Sequence, residues 1–427
     1  MKLASWKYFS LLEVLFLLSF LPLFLGNYKS VVVYTISYIF SSLIFILLVF
    51  YILKNEISKK HIIFLFSAAI LLRLILIPVH PAGSDDYYRY LWDGKVEANG
   101  INPYKYAPDD SALAGLHSGI LPKLVNYPDM KTIYPPVSQA IFYASYLISG
   151  ESYYGLKIFQ FMFDLLTIFG IFLILKKLNL PLKNLLIYVL APLPLFQFFI
   201  DAHVDGFGLT FMIFSLYYYL SGKKLLSFLF IGLSICIKPL GLIVLPIYFL
   251  NEKLIYEKVK SVLIPVLICV LFYLPFIFSG TPFQALLKFT ENWTFNGVVF
   301  DILDSFIHNN QITRLICAAL LLITYLPVIF SKKEILNKIY ISLMLLFIFS
   351  PVVHPWYISW LIIMLPFIPK PSGIVYAGLI SLTAFTVLNY RLNGVWQEYI
   401  MVLIFEYTPV IIIFLKELFS ERKIAAS

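Results

Sequence analysis

Residues 31 to 53, VVVYTISYIFSSLIFILLVFYIL, contain no charged side chain. An α-helix needs about 20 apolar residues to cross roughly 30 Å of hydrocarbon, and this run supplies them. Comparable runs recur along the chain, in which 61% of 427 residues are hydrophobic and 13% are charged, with a mean hydropathy of +0.88. No soluble core hides that much apolar surface. The expected fold is an all-α polytopic transmembrane bundle, with membrane lipid as its surroundings.

The net charge of +9 is not a nucleic-acid signal, because the lysines sit in short clusters between apolar runs, as KNEISKK (54–60), KK (176–177) and SKKE (331–334). Such clusters report topology. Cys236, Cys269 and Cys317 fall inside expected spans and read as small apolar side chains, not as a disulfide framework or a metal site. Lys2 and Lys7 precede the first run as in a signal peptide, but no small-residue cleavage site follows Gly26, so an uncleaved first span is expected.

Apolar runs lie near residues 9–26, 31–53, 61–79, 155–175, 185–200, 205–221, 225–237, 239–250, 261–279, 313–330, 338–350, 356–368, 373–390 and 396–415, which gives about 12–14 spans. Residues 137–149 decide the sidedness. If they do not cross, fifteen of the lysines and arginines beyond residue 150 fall on one side and five on the other. The positive-inside rule makes the larger set cytoplasmic. Residues 137–149 are then an interfacial helix, and Asp85, Tyr134, Asp201, Asp205, Lys238, Asp301, His354 and Arg391 all face outward. The longest loop, 80–136, holds seven acidic and five basic residues without low complexity, so it is expected to be folded.

The densest polar stretch is SDDYYRYLWDG, from Ser84 to Gly94, where the third run ends. Ser84 is a natural N-cap, and helical spacing puts Asp86, Arg89 and Asp93 on one face, with Tyr88 and Trp92 on an adjacent stripe. Taken alone, Asp85 and Asp86 are adequately explained as complements to a helix N-terminus, with Arg89 as ion-pair partner.

Beyond this stretch come NGINPY (99–104) and then Tyr134, Pro135 and Pro136. The string DDYYRYLWDGKVEANGINPYKYAP resembles the first extracytoplasmic loop of the GT-C class of polyprenyl-phosphate-sugar-dependent glycosyltransferases, particularly bacterial mannosyltransferase-like members. That resemblance implies an inverting transfer of a hexose, mannose favoured, from a polyprenyl-phosphate donor to a glycan, lipid or protein acceptor outside the membrane. Asp85 or Asp86 would be the general base, with Arg89, Trp92, Asp93 and Tyr134 near substrate. The Tyr-Pro-Pro segment would lead into a membrane-parallel helix. A carboxylate suits the task, because a sugar hydroxyl attacks only as a base removes its proton, and desolvation raises an aspartate's basicity.

The leaving lipid phosphate needs positive charge. Lys238, in IKPLG at a break between short apolar runs, either snorkels or holds that phosphate. His354, in SPVVHPWY, is either part of an interfacial aromatic turn or a substrate contact, and a similar His-Pro-Trp-Tyr element recurs in GT-C relatives. Arg391 is a further candidate cation, while Arg73 is expected to snorkel outward. IDAHVDG places Asp201, His203 and Asp205 at alternating positions, which serve equally as helix caps or as ligands for sugar, acceptor or a divalent cation; some relatives use a metal and many do not. Asp164 lies mid-span, where pairing with a neighbouring helix and catalysis are both open.

A transporter or lipid flippase also needs many spans, but would place polar groups at the midplane and show an internal repeat. A polymerase or ligase would carry basic residues in a large loop nearer the C-terminus, whereas 280–313 holds only Lys288 before its end. A nucleotide-sugar donor is disfavoured, since no glycine-rich phosphate loop is present.

Overall fold

A computed structural model describes residues 2–25 and 30–426, so the Gly26 boundary lies outside the described residues. Regular structure among them is helical, apart from one isolated bridge between Phe295 and Val352. Hydrocarbon offers backbone groups no partners, and a helix satisfies them internally. In chain order the main helices are α1 (Lys2–Leu18), α2 (Val31–Lys54), α3 (Lys59–Leu76), α4 (Asp86–Ala98), α5 (Pro136–Ser149), α6 (Tyr154–Lys177), α7 (Asp205–Leu220), α8 (Lys224–Ile235), α9 (Ile255–Ile277), α10 (Gln284–Asn292), α11 (Val298–Ile307), α12 (Asn310–Phe330), α13 (Ile335–Phe349), α14 (Pro371–Asn393, with a 3-10 turn midway) and α15 (Ile400–Ala426).

Six of the described segments are each long and apolar enough to cross a bilayer: Lys7–Leu25, α2, α6, α9, α12 and α14. A pair bent by 42°, Leu182–Val189 and Pro192–Ile200, makes a seventh if taken as one span. Other apolar runs form the shorter helices α8, Pro239–Asn251 and α13, or the turns Pro355–Ile358 and Ser359–Ile362. Proline opens several of these pieces, because it lacks the N–H that would continue the preceding helix.

The bent pair forms the centre of the bundle. Every residue from Asn184 to Thr210 is buried; residues 185–200 are apolar on all sides but for Gln197, as expected of a segment enclosed by protein. By contrast only 11% of the residues in the most apolar stretch of α9, mean hydropathy 2.2, are buried within the protein, so much of its apolar surface is left for lipid. Arg73 does not snorkel outward. It is fully buried, donating to Asp164 at 2.6 Å and to the carbonyls of Ala69 and Val189 at 3.0 and 2.8 Å. The Tyr188 hydroxyl donates to the other Asp164 oxygen at 2.6 Å, so Asp164 is a helix-pairing residue.

Residues 80–136 fold around a second apolar cluster that includes Tyr90, Trp92, Leu113, Leu121 and Phe142. Arg89 organises this segment by donating to the carbonyls of Asn126, Tyr127 and Met130 at 3.1, 2.9 and 2.9 Å. Helix α4 lies directly on α5, and the contact depends on Gly94: a Cβ there would sit 2.3 Å from the Phe142 carbonyl oxygen. Backbone cannot swing aside as a side chain can. Gly94→Ala is therefore expected to destabilise the protein by about 1–3 kcal/mol, read as a lower melting temperature in detergent; an unchanged melting curve would show that α4 and α5 can separate freely.

Candidate functional site

A cavity of about 420 Å³ opens between α4, the 126–134 segment, the Lys238 turn, the 293–295 and 354–357 segments and the end of α14. Its volume falls within the range of small-molecule sites. Asp85, Asp86, Arg89, Tyr134, Lys238, His354 and Arg391 all line it, so side chains expected outside the membrane from five parts of the chain share one space.

The start of α4 separates the two aspartates. Asp85, rather than Ser84, occupies the cap position and makes no capping bond, while the Ser84 hydroxyl accepts from the Asp86 amide at 3.2 Å. Asp85 is thereby free to form an ion pair with Arg391 at the end of α14. Asp86 turns the other way, its carboxylate 3.7 Å from His203 Nδ1 and its side chain 29% exposed to the cavity. Burial among protein groups pushes its pKa up to about 6; nearby Lys238 opposes the rise and Asp85 adds to it.

Lys238 does not snorkel. Its ammonium lies 3.6 Å from Asp205 Oδ2 and 4.4 Å over the Tyr357 ring. Asp205 also accepts from Trp360 Nε1 at 3.0 Å. His354 is neutral at physiological pH, because burial, and secondarily the Lys238 charge, hold its pKa down near 3. It is therefore a stacking and hydrogen-bonding group rather than a cation. His354 stacks on Trp356 (ring centroids 4.4 Å apart), and Trp356 stacks on His203 (3.6 Å).

Not every expected site residue reaches the cavity. Trp92 is 1% exposed within the core of the 80–136 segment, not at an interface. Asp93, also buried, accepts from Gln139 Nε2 at 3.1 Å and faces α5. The shared helical face of Asp86, Arg89 and Asp93 thus serves three different neighbours. Asp201 anchors the entry to the 80–136 segment, accepting from the amides of Ala82 and Gly83 at 3.2 and 2.8 Å and from the Tyr34 hydroxyl. His203 and Asp205 stand behind Asp86 and Lys238. Asp201, His203 and Asp205 thus engage separate partners, and among the described residues no three His, Cys, Asp or Glu side chains group as a metal-ligand set.

Sequence reading missed several lining residues: Tyr34, Tyr38 and Gln197 from within apolar segments, and Trp293, Phe295 and Trp396 from the C-terminal third. Gln197, a lone amide in LFQFFI, carried a usable signal; the aromatics did not stand out in a chain that is 18% aromatic.

No curated protein matches the chain in sequence. Among solved structures, ArnT from Cupriavidus metallidurans, crystallised with undecaprenyl phosphate, is similar at 14% identity and a TM-score of 0.49, over 78% of this chain and 64% of that one. The family model for the MptB C-terminal domain matches residues 294–415. The model for the N-terminal domain of the alpha-(1->6)-mannopyranosyltransferases matches residues 9–251, more than half of the sequence, and the chain belongs to that family.

Proposed function

We propose that this protein transfers mannose from a polyprenyl-phosphate donor to a hydroxyl of a glycan acceptor on the outer face of the membrane, with inversion at the anomeric carbon. The observation that carries the reading is the meeting of the Asp86 carboxylate with Lys238 and Arg391 in one cavity. Asp86 takes the acceptor hydroxyl proton as the oxygen bonds to the anomeric carbon. The bond from that carbon to the phosphate oxygen breaks, and polyprenyl phosphate leaves as an anion. Lys238 and Arg391 offset the charge that develops on it. Inversion to an alpha product requires a beta-linked donor.

Asp86 is favoured over Asp85 as the base because Asp85 is already engaged by Arg391, whereas Asp86 combines cavity exposure with a raised pKa. In this reading residues 80–136 are the extracytoplasmic catalytic loop and 137–149 lie along the outer surface. At 14 residues α5 extends about 21 Å, short of the roughly 30 Å of hydrocarbon.

The test is to incubate purified protein with polyprenyl-phosphate mannose and a mannose-bearing acceptor and follow release of the lipid phosphate. Absence of transfer with any polyprenyl-phosphate hexose would remove the reading. Its pH profile has an expected shape. A base must be ionised, so kcat/KM should fall as pH drops through about 6. The same raised pKa acts oppositely on folding: the native state holds that proton more tightly than the unfolded chain, so this group's contribution to stability is present below pH 3.8 and is lost as pH rises through about 6. A profile flat from pH 5 to 8 would exclude Asp86 as the base.

A further inference from the structure

Asn296 lies in the left-handed region of backbone space, with φ at 53°. Asn tolerates this conformation better than most residues, and its presence marks an imposed geometry. Distant parts of the chain hold it there. Its amide donates to the Glu398 carboxylate. Its Nδ2 donates to Glu406 Oε1 at 3.0 Å, and its carbonyl accepts from the Tyr407 hydroxyl at 2.8 Å. Tyr407 in turn accepts from Tyr376 at 2.9 Å. Glu406 is fully buried, and its second oxygen has no hydrogen-bond partner. A half-satisfied buried carboxylate is costly, and its one hydrogen bond pins Asn296.

The neighbouring residue is the first of four stacked rings. Phe295 is tied by its backbone to residues 351–353, donating to the Pro351 carbonyl at 3.0 Å and accepting from the Val353 amide at 2.7 Å. Its ring stacks on His354 at 4.8 Å and 19°, His354 on Trp356 at 4.4 Å and 4°, and Trp356 on His203 at 3.6 Å and 19°. His203 Nδ1 is 3.7 Å from the Asp86 carboxylate. Closely packed rings pass a displacement on, because packed interiors have little free volume to absorb it.

We propose that Asn296, held by Glu398 and Glu406, is a positioning residue for hexose transfer: it fixes Phe295 at one end of the ring stack, and the stack fixes His203 against one side of Asp86, shielding that side from water while the other faces the cavity. This rests on the reading of Asp86 as the base. Glu406 is thereby coupled to the reacting carboxylate although it lines no part of the cavity.

The experiment compares Asn296→Gly, which keeps the left-handed backbone and loses only the side-chain bond, with Glu406→Ala and Glu406→Gln, the last retaining an acceptor oxygen for Asn296. Asn296→Gly and Glu406→Ala are expected to lower kcat by about 10-fold to 100-fold with donor KM nearly unchanged. The acidic limb of the pH profile, set near 6 by Asp86, should also move to lower pH, because water admitted by a loosened stack removes the effect of burial. Glu406→Gln should restore most of the turnover. A fall in kcat without movement of the limb would mean a merely structural contribution and overturn the proposal, as would unchanged kinetics. If Glu406→Ala does not fold, Asn296→Gly carries the same readouts. Asp86→Asn is assayed alongside: if it keeps full turnover, the base reading itself has failed and the positioning role falls with it.

Discussion

Asp86→Asn is expected to slow hexose transfer by about 100-fold to 10,000-fold, the usual worth of a positioned general base. The amide fills the same space and cannot accept the proton, so donor KM should change little, and at neutral pH the fold should be no less stable, because a carboxylate whose ionisation costs stability is gone. An interaction needed only in the transition state lowers kcat and kcat/KM together. Asp85→Asn provides the contrast. Its partner Arg391 is 31% exposed and Asp85 itself 18%, and pairs that remain in contact with water are worth about 0–1 kcal/mol. The loss there should stay within about fivefold by that measure. Lipid-phosphate release by the two purified variants decides between the carboxylates; full activity in Asp86→Asn with loss in Asp85→Asn would reverse the assignment.

Arg73→Met alone is expected to destabilise the fold by about 3–5 kcal/mol, because it leaves Asp164 buried with only Tyr188 as a partner. Pairing it with Asp164→Leu should recover most or all of that loss, since an apolar pair of similar size often replaces a buried ion pair without penalty. Melting temperatures of the two single variants and the double variant form the cycle. Should the double variant be no better than Arg73→Met, the ion pair would not be what matters in that contact, and the bonds from Arg73 to the Ala69 and Val189 carbonyls would account for its place.

The class of fold was legible because a bilayer permits few structures. Long uncharged runs such as 31–53 can only be helices there. Where each run goes was not legible. The bent pair and α9 both pass as spans by hydropathy, yet the first is the buried centre of the bundle and the second leaves most of its side chains at the outside of the bundle. Lipid and protein interior are both apolar solvents, so hydropathy cannot tell them apart.

The site divides in the same manner. Charge grouped Asp85, Tyr134, Asp201, Asp205, Lys238, Asp301, His354 and Arg391 on one face; Asp85, Tyr134, Lys238, His354 and Arg391 line the cavity, whereas Asp201, Asp205 and Asp301 do not. Arg73 was misread because an arginine near a span end has two solutions, water or a buried carboxylate, and the partner Asp164 is 91 residues away. Trp92 and Asp93 were misread because helical spacing tells which residues share a side, not which neighbour covers them.

By itself, then, the sequence determined that the chain is a helical membrane protein, since that follows from the cost of placing polar groups in hydrocarbon, and its loop charges grouped five of the residues that line the cavity. Only the tertiary structure decided that Asp85 pairs with Arg391 while Asp86 faces Lys238 and His203, and that Glu406 and Asn296 stand at the far end of a ring stack leading to Asp86. Those choices are made by contacts between segments a hundred or more residues apart, whose short-range forces leave no periodicity in the chain.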